Sequence, residues 1–261
     1  MEQRGQVIYD ERIPRLKEGP KPRKTNQRMV MLLLLFFLLI MLIIYFQSPL
    51  ARLSSIELNG NFLIDADELL KRANLEIGMP FLALSKGDIQ QELEQFLEIE
   101  SVRVEKIFPN KLKISIEEYP IVSFWLEKNQ LYPVISSGHI LMNRPWKEQV
   151  NHPILSHWPT KDGLGELASE LNKLSLAVRN RISEIRLTPL VSDPYRLVLY
   201  MNDGYEVRTS IRNFAENMAW YPHYVQLAQE EGAFEGIFYL LEGKWYINPN
   251  QQESGQGERD E

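Results

Sequence analysis

A membrane anchor followed by two α+β domains is the architecture this sequence predicts. The first domain has the order β-α-α-β-β, and the second is built on a mainly antiparallel sheet. Three observations carry that prediction. Residues 29–46, MVMLLLLFFLLIMLIIYF, form an uncharged run in which only Tyr45 carries a polar atom. Residues 50–120 hold turn and capping signals in the order strand, helix, helix, strand, strand. Residues 121–249 interleave short strand patterns and tight turns with two helical patterns.

The apolar run comes first. At about 1.5 Å per residue a helix of this length covers roughly 27 Å, close to the hydrocarbon core of a bilayer. Residues 1–28 hold eight Lys/Arg, from Arg4 to Arg28, against Glu2, Asp10, Glu11 and Glu18. Past the run, Arg52 is the first basic residue. Short cytoplasmic segments hold the basic excess, so the expected topology keeps the tail inside, uses 29–49 as the span and exports the rest. A cleavable signal peptide is the rival reading. Its apolar core is shorter and ends in a small-x-small site, which Ser48-Pro49-Leu50-Ala51 matches poorly. An uncleaved signal anchor is the expectation.

Charge and cysteine content narrow the function classes. Residues 29–261 hold 21 Lys/Arg and 31 Asp/Glu, a balance that disfavours nucleic acid or anionic polymers as bulk-charge partners. With no cysteine in the chain, packing rather than disulfides must stabilise the exported part. The N-terminal tail, and a polar tail at 250–261, are too polar to bury a core and are expected to be disordered.

Within 50–120, Ile56-Glu57-Leu58 alternates into Asn59-Gly60-Asn61, a strand and turn. Asp65 stands before Ala66, Leu69, Leu70 and Ala73 at helical spacing, with Glu68 at the capping-box position. Ser85 to Asp88 is a second capping signal, opening a helix with Ile89, Leu93, Phe96 and Leu97 on one face. Val102 and Val104 begin a hairpin turned by Pro109-Asn110-Lys111. In the return strand Leu112, Ile114 and Ile116 point one way and Lys113, Ser115 and Glu117 the other.

That order, with Ile56–Asn61, Gly78-Met79-Pro80-Phe81, Val102-Arg103-Val104, Phe108–Ile114 and Glu117–Pro120, resembles a POTRA domain of the FtsQ/DivIB type. In that family a basic tail and a signal anchor lead straight into this domain, as they do here. The remainder is similar to the second, β domain of the family. Gln130–Ile135 and His139-Ile140-Leu141 bracket the turn Ser136-Ser137-Gly138. Apolar residues at 164, 167, 168, 171, 174 and 178 mark a helix. Ile185 and Leu187, then 196–201 and 205–208, read as strands, the last two around Asn202-Asp203-Gly204. Ile211, Phe214, Ala215 and Met218 start a helix that Pro222 should kink or end.

Catalytic constellations are scarce. Ser-x-x-Lys, Gly-x-Ser-x-Gly, His-Glu-x-x-His and P-loop patterns are missing, and no thiol is available. His152 and His157 have a spacing that a metal could use, but no motif-spaced carboxylate completes a site. These and His139 and His223 read as surface or packing residues. Asp65 and Asp67 read as helix capping rather than an acid pair. No catalytic residue, cofactor or metal is expected.

The segment from Gly236 to Ile247 is aromatic and strand-like. Its residues Phe238, Tyr239, Leu240, Glu242, Trp245 and Tyr246 read either as core or as an exposed edge strand that a partner completes. If the Leu240 N–H faces outward, Leu240→Pro would break such pairing. In FtsQ the corresponding strand binds a partner by strand addition, and Glu242-Gly243-Lys244-Trp245-Tyr246 is close to the family's Gly-x-Tyr-Phe pattern.

The resemblance implies a non-catalytic bitopic scaffold of the bacterial divisome, placed at the septum. It implies as partners FtsL and DivIC (the FtsB equivalent), with the septal transpeptidase and transglycosylase, and neither nucleic acid nor a small-molecule substrate. Two alternatives are a POTRA-type translocation chaperone and a membrane-tethered wall hydrolase. Tandem POTRA units and barrel strands would mark the first. Paired carboxylates or a metal site would mark the second.

Overall fold

The computed structural model describes residues 26–158, 160–241 and 243–247. Most of the tail at 1–28, and all of 250–261, therefore lie outside the described residues. Helix α1 runs Gln27–Gln47 with no buried residue, and it is long and apolar enough to cross a bilayer.

The first domain contains β1 (Ser55–Asn59), α2 (Ala66–Arg72), α3 (Lys86–Leu93), β2 (Ile99–Ile107) and β3 (Lys111–Glu118). β3 is the middle strand, parallel to β1 and antiparallel to β2. Its alternation works as the sequence suggests. Leu112, Ile114 and Ile116 are buried and form one core with Leu69, Ile89 and Leu93 from the two helices. Gly60 sits at φ +88°, and a Cβ there would lie 2.0 Å from the Ile116 carbonyl oxygen. Only glycine permits so close a backbone approach.

Two local expectations need correction. Asp65 occupies the N-cap of α2 but its side chain makes no capping bond. Glu68 does not reach back to the cap either, because its carboxylate is engaged by Arg144 at 3.0 Å. Further on, Ser85 does cap α3, accepting from the Asp88 N–H. That helix stops at Leu93, so Leu97 is exposed rather than on the buried face.

The second domain is an eight-stranded sheet in the order β11-β10-β9-β8-β7-β6-β4-β5. The strands are β4 (Ile121–Glu127), β5 (Gln130–Ile135), β6 (Ile154–Ser156), β7 (Ile182–Leu187), β8 (Arg196–Met201), β9 (Glu206–Ser210), β10 (Ile237–Leu240) and β11 (Lys244–Ile247). Antiparallel joins are in the majority, but β4–β6, β6–β7 and β9–β10 are parallel. Parallel joins require crossovers. The β6–β7 crossover carries α4 (Leu164–Lys173) and α5 (Leu176–Arg179), and the β9–β10 crossover carries α6 (Phe214–Ala219) and α7 (Tyr221–Glu230). Leu167, Leu171, Phe214, Met218 and Tyr221 of these helices bury against Leu199, Val207 and Phe238 of the sheet. In β8 buried and half-buried residues alternate, as expected of a sheet covered by helices on one face.

Candidate partner-binding edge

The segment 236–247, read from sequence as one strand, is two strands. β10 pairs parallel with β9 and antiparallel with β11, so β10 lies inside the sheet and β11 is the edge. The register assigns the peptide groups. The Glu206 N–H donates to the Gly236 carbonyl, which directs the even-numbered residues of β10 toward β9 and the odd-numbered ones toward β11. Tyr239 and Trp245 then exchange bonds across the hairpin, and the peptide groups of Lys244 and Tyr246 point away from the sheet. Among the described residues no strand pairs with that outer side.

This register overturns the outward placement of the Leu240 amide. Leu240 is buried, and its carbonyl accepts from the Thr209 hydroxyl at 2.7 Å. Proline at 240 would break the internal ladder and could not test an edge.

The candidate residues divide between the faces of the sheet. Phe238 and Leu240 belong to the core. The Phe238 ring is 5.1 Å from Tyr205, 5.8 Å from Tyr221 and 4.8 Å from Tyr246. Tyr246 packs from the edge and donates its hydroxyl to the Glu235 carbonyl at 2.6 Å. A Cβ on Gly236 (φ +151°) would lie 2.5 Å from this ring, so glycine makes room for it. Burial, with Tyr205 and Glu235 nearby, raises the Tyr246 phenol above its usual range, which keeps it a neutral donor. Tyr221 is likewise raised, by burial and by its bond to Asp203.

On the other face Tyr239 and Trp245 stack at 4.7 Å and 12°. Arg208 lies over Tyr239 and donates to its hydroxyl at 2.9 Å. Trp245 remains 48% exposed, a large aromatic surface at an open edge. Glu242 lies outside the described residues.

Two contributors were missed from sequence. Lys244 supplies an outward peptide group, and a lysine on a strand edge was the available signal. Helix α7 borders a 240 Å³ groove against the hairpin, with Tyr224, Leu227 and Ala228 on its wall. Pro222, read as kinking or ending the preceding helix near Tyr221, follows the end of α6 at Ala219 and lies in the first turn of α7, where proline is tolerated.

The histidines do not converge on a centre. His152 Nδ1 lies 2.6 Å from Asn151 Oδ1, and its pKa is lowered by burial and then by Arg179. His157 Nδ1 is 3.0 Å from the Ser156 hydroxyl. Among the described residues, no group of three or more His, Cys, Asp or Glu could hold a metal.

An anchor-length helix, a small β-α-α-β-β domain and a larger sheet ending in a hairpin define a class of two-domain α+β protein with an N-terminal apolar helix. Two family models match. Residues 51–119 fit the POTRA domain, FtsQ-type, and residues 123–241 fit the cell division protein FtsQ/DivIB, C-terminal. The chain is 31% identical to the cell division protein DivIB of Bacillus subtilis (strain 168), over 90% of this chain and 88% of the relative. It is 33% identical to DivIB of Brevibacillus brevis (strain 47 / JCM 6285 / NBRC 100599), over 92% and 91%. A solved structure titled as the major extracytoplasmic domain of the trans isomer of DivIB from Geobacillus stearothermophilus is 29% identical. It covers 44% of this chain and 97% of that one, with a TM-score of 0.39. The chain belongs to the FtsQ/DivIB family of cell division proteins. Its role is in cell division, and with α1 the family membership points to a single-pass membrane protein.

Proposed function

We propose that this protein is a non-catalytic bitopic scaffold of the divisome that recognises partners by strand addition at β11. The basic tail stays in the cytoplasm, and the POTRA domain (50–120) and β domain (121–249) lie outside the membrane at the septum. The observation that carries the reading is the outer side of β11, which no strand pairs among the described residues. There the peptide groups of Lys244 and Tyr246 point away from the sheet beside the exposed Trp245 ring. Such an edge accepts an extended segment through main-chain bonds, and the adjoining aromatic adds contact area. By family resemblance the partners are FtsL and DivIC, with the septal transpeptidase and transglycosylase. A shared membrane raises their effective concentration, so modest contacts suffice.

The test is co-purification from cells of full-length protein, wild type against Lys244→Pro. Proline at the first residue of an edge strand removes an outward N–H and leaves the internal ladder intact. Loss of DivIC and FtsL with an unchanged melting temperature supports the proposal. Full recovery of both partners contradicts it.

A further inference from the structure

The first domain has an apolar rim that the partner edge does not use. Its chain-entry end is built from three segments. The Leu53 N–H donates to Met79 O, the Gly78 N–H donates to Leu53 O, and the Ser54 N–H donates to Asn110 O. Residues 52–54 are thus flanked by the 78–80 loop on one side and the β2–β3 turn on the other. Lys106 joins the loops by donating from Nζ to the Leu82 carbonyl at 3.3 Å. On this end Phe108 is 80% exposed, Ile77 70% and Leu82 57%, with Ile107 also exposed. Single exposed apolar residues are ordinary, but four gathered on two adjoining loops of one small domain are not.

We infer that this rim sits in the interface of the bilayer that holds α1, with Phe108, Leu82 and Ile77 among the lipid headgroups. The inference rests on the membrane-anchor reading above and goes beyond it. Three features favour lipid over a protein partner. Residues 48–54 alone separate α1 from β1, and seven extended residues reach at most about 25 Å, so this end cannot leave the membrane's neighbourhood. The segments that carry the apolar side chains and those next to them in sequence hold Arg52, Lys86, Lys106 and Lys111 against Glu76, Asp88 and Glu105. Aromatic and aliphatic residues beside lysine and arginine are the composition of interfacial segments on anionic lipid. The opposite end of the domain, where β2 starts and β3 finishes, also exposes Phe62 and Leu97, but it is joined to the second domain by the pair of Glu98 with Arg144 and lies at the far end of β1 from the anchor. Lipid contact would fix the tilt of the domain above the membrane, and so the height at which the second domain is presented.

The cysteine-free chain allows one environment-sensitive fluorophore at a time. Cysteines are placed by Ala83→Cys beside Leu82, by Leu97→Cys at the far end, and by Leu38→Cys within the apolar helix. Each full-length protein is reconstituted into phosphatidylglycerol/phosphatidylethanolamine vesicles carrying a lipid with a nitroxide near the carbonyl level. The expected result is strong quenching at 38 and at 83 and none at 97. Ile77→Ser, Leu82→Ser and Phe108→Ser together should remove most of the quenching at 83 and leave that at 38. Quenching at 38 with 83 as insensitive as 97, or quenching at 83 that survives the triple change, overturns the rim while leaving the anchor intact. An unquenched 38 overturns the anchor and the rim together.

Discussion

The two edges of the eight-stranded sheet are treated in opposite ways. At β5 the chain turns at Gly138 and runs back as a strap along the outer side. The Leu141 N–H donates to Pro133 O and the Trp146 N–H to Leu131 O, while the Ile135 N–H donates to His139 O. Pro133 has no N–H to offer, and Trp146 packs on Phe124 at 5.2 Å. The strap is also pinned to the first domain, since Arg144 bridges the buried Glu98 at 2.5 Å and Glu68 at 3.0 Å. At β11 neither strap nor proline exists among the described residues, and an exposed tryptophan stands where blunting would be expected. Sheet edges invite pairing and proteins ordinarily suppress it. Among the described residues one edge is covered by several devices and the other carries only Lys244 as a blunting residue, and the proposed docking of a partner strand at β11 rests on that difference.

Phe238→Ala should have the largest effect, because this core ring supports both Tyr246 and Tyr221. A loss of about 3–5 kcal/mol in thermal or denaturant unfolding is expected, with binding lost only as a consequence of unfolding. Arg144→Ala leaves the Glu98 carboxylate buried without its partner. It should cost about 2–3 kcal/mol, below the fully buried figure because the guanidinium is partly solvated. Since it loosens the covered edge alone, partner recovery at permissive temperature should stay at wild-type level. Recovery that falls instead would make the strap part of the interface. Lys244→Pro should leave melting unchanged and weaken partner binding by about 2 kcal/mol, since it leaves a partner carbonyl unpaired. Trp245→Ala should be the mildest, at about 1–2 kcal/mol of binding with little change in stability. A matching loss of stability on calorimetry would return Trp245 to the core.

How legible each part is in the sequence depends on its physics. β3 is legible because it is half-buried, so Leu112, Ile114 and Ile116 keep strict alternation against Lys113, Ser115 and Glu117. β4 is not, because Val122, Ser123 and Phe124 are all buried and a strand covered on both faces loses its period of two. β6 has only three residues, too few to show any period. The Lys128-Asn129 turn between β4 and β5 lacks glycine, although both residues take positive φ. Ser136–Gly138 is the turn its composition suggests, but Ile140 and Trp146 beyond it make isolated bridges rather than a full strand. At the candidate site the aromatic character of 236–247 is visible in the sequence. Its split into an interior and an edge strand depends on which strand β10 joins, and that parallel partner lies some thirty residues back in sequence.

A partner strand docked on β11 would be read out by amide hydrogen exchange at the outward peptide groups. The complex of the full-length protein with its co-purified bitopic partner is compared with the protein alone. The Lys244 and Tyr246 amides are expected to exchange freely in the unbound protein and to become protected in the complex, while those of β5 are unchanged. Protection that arises elsewhere, with Lys244 and Tyr246 still exchanging freely in the complex, would contradict docking at β11.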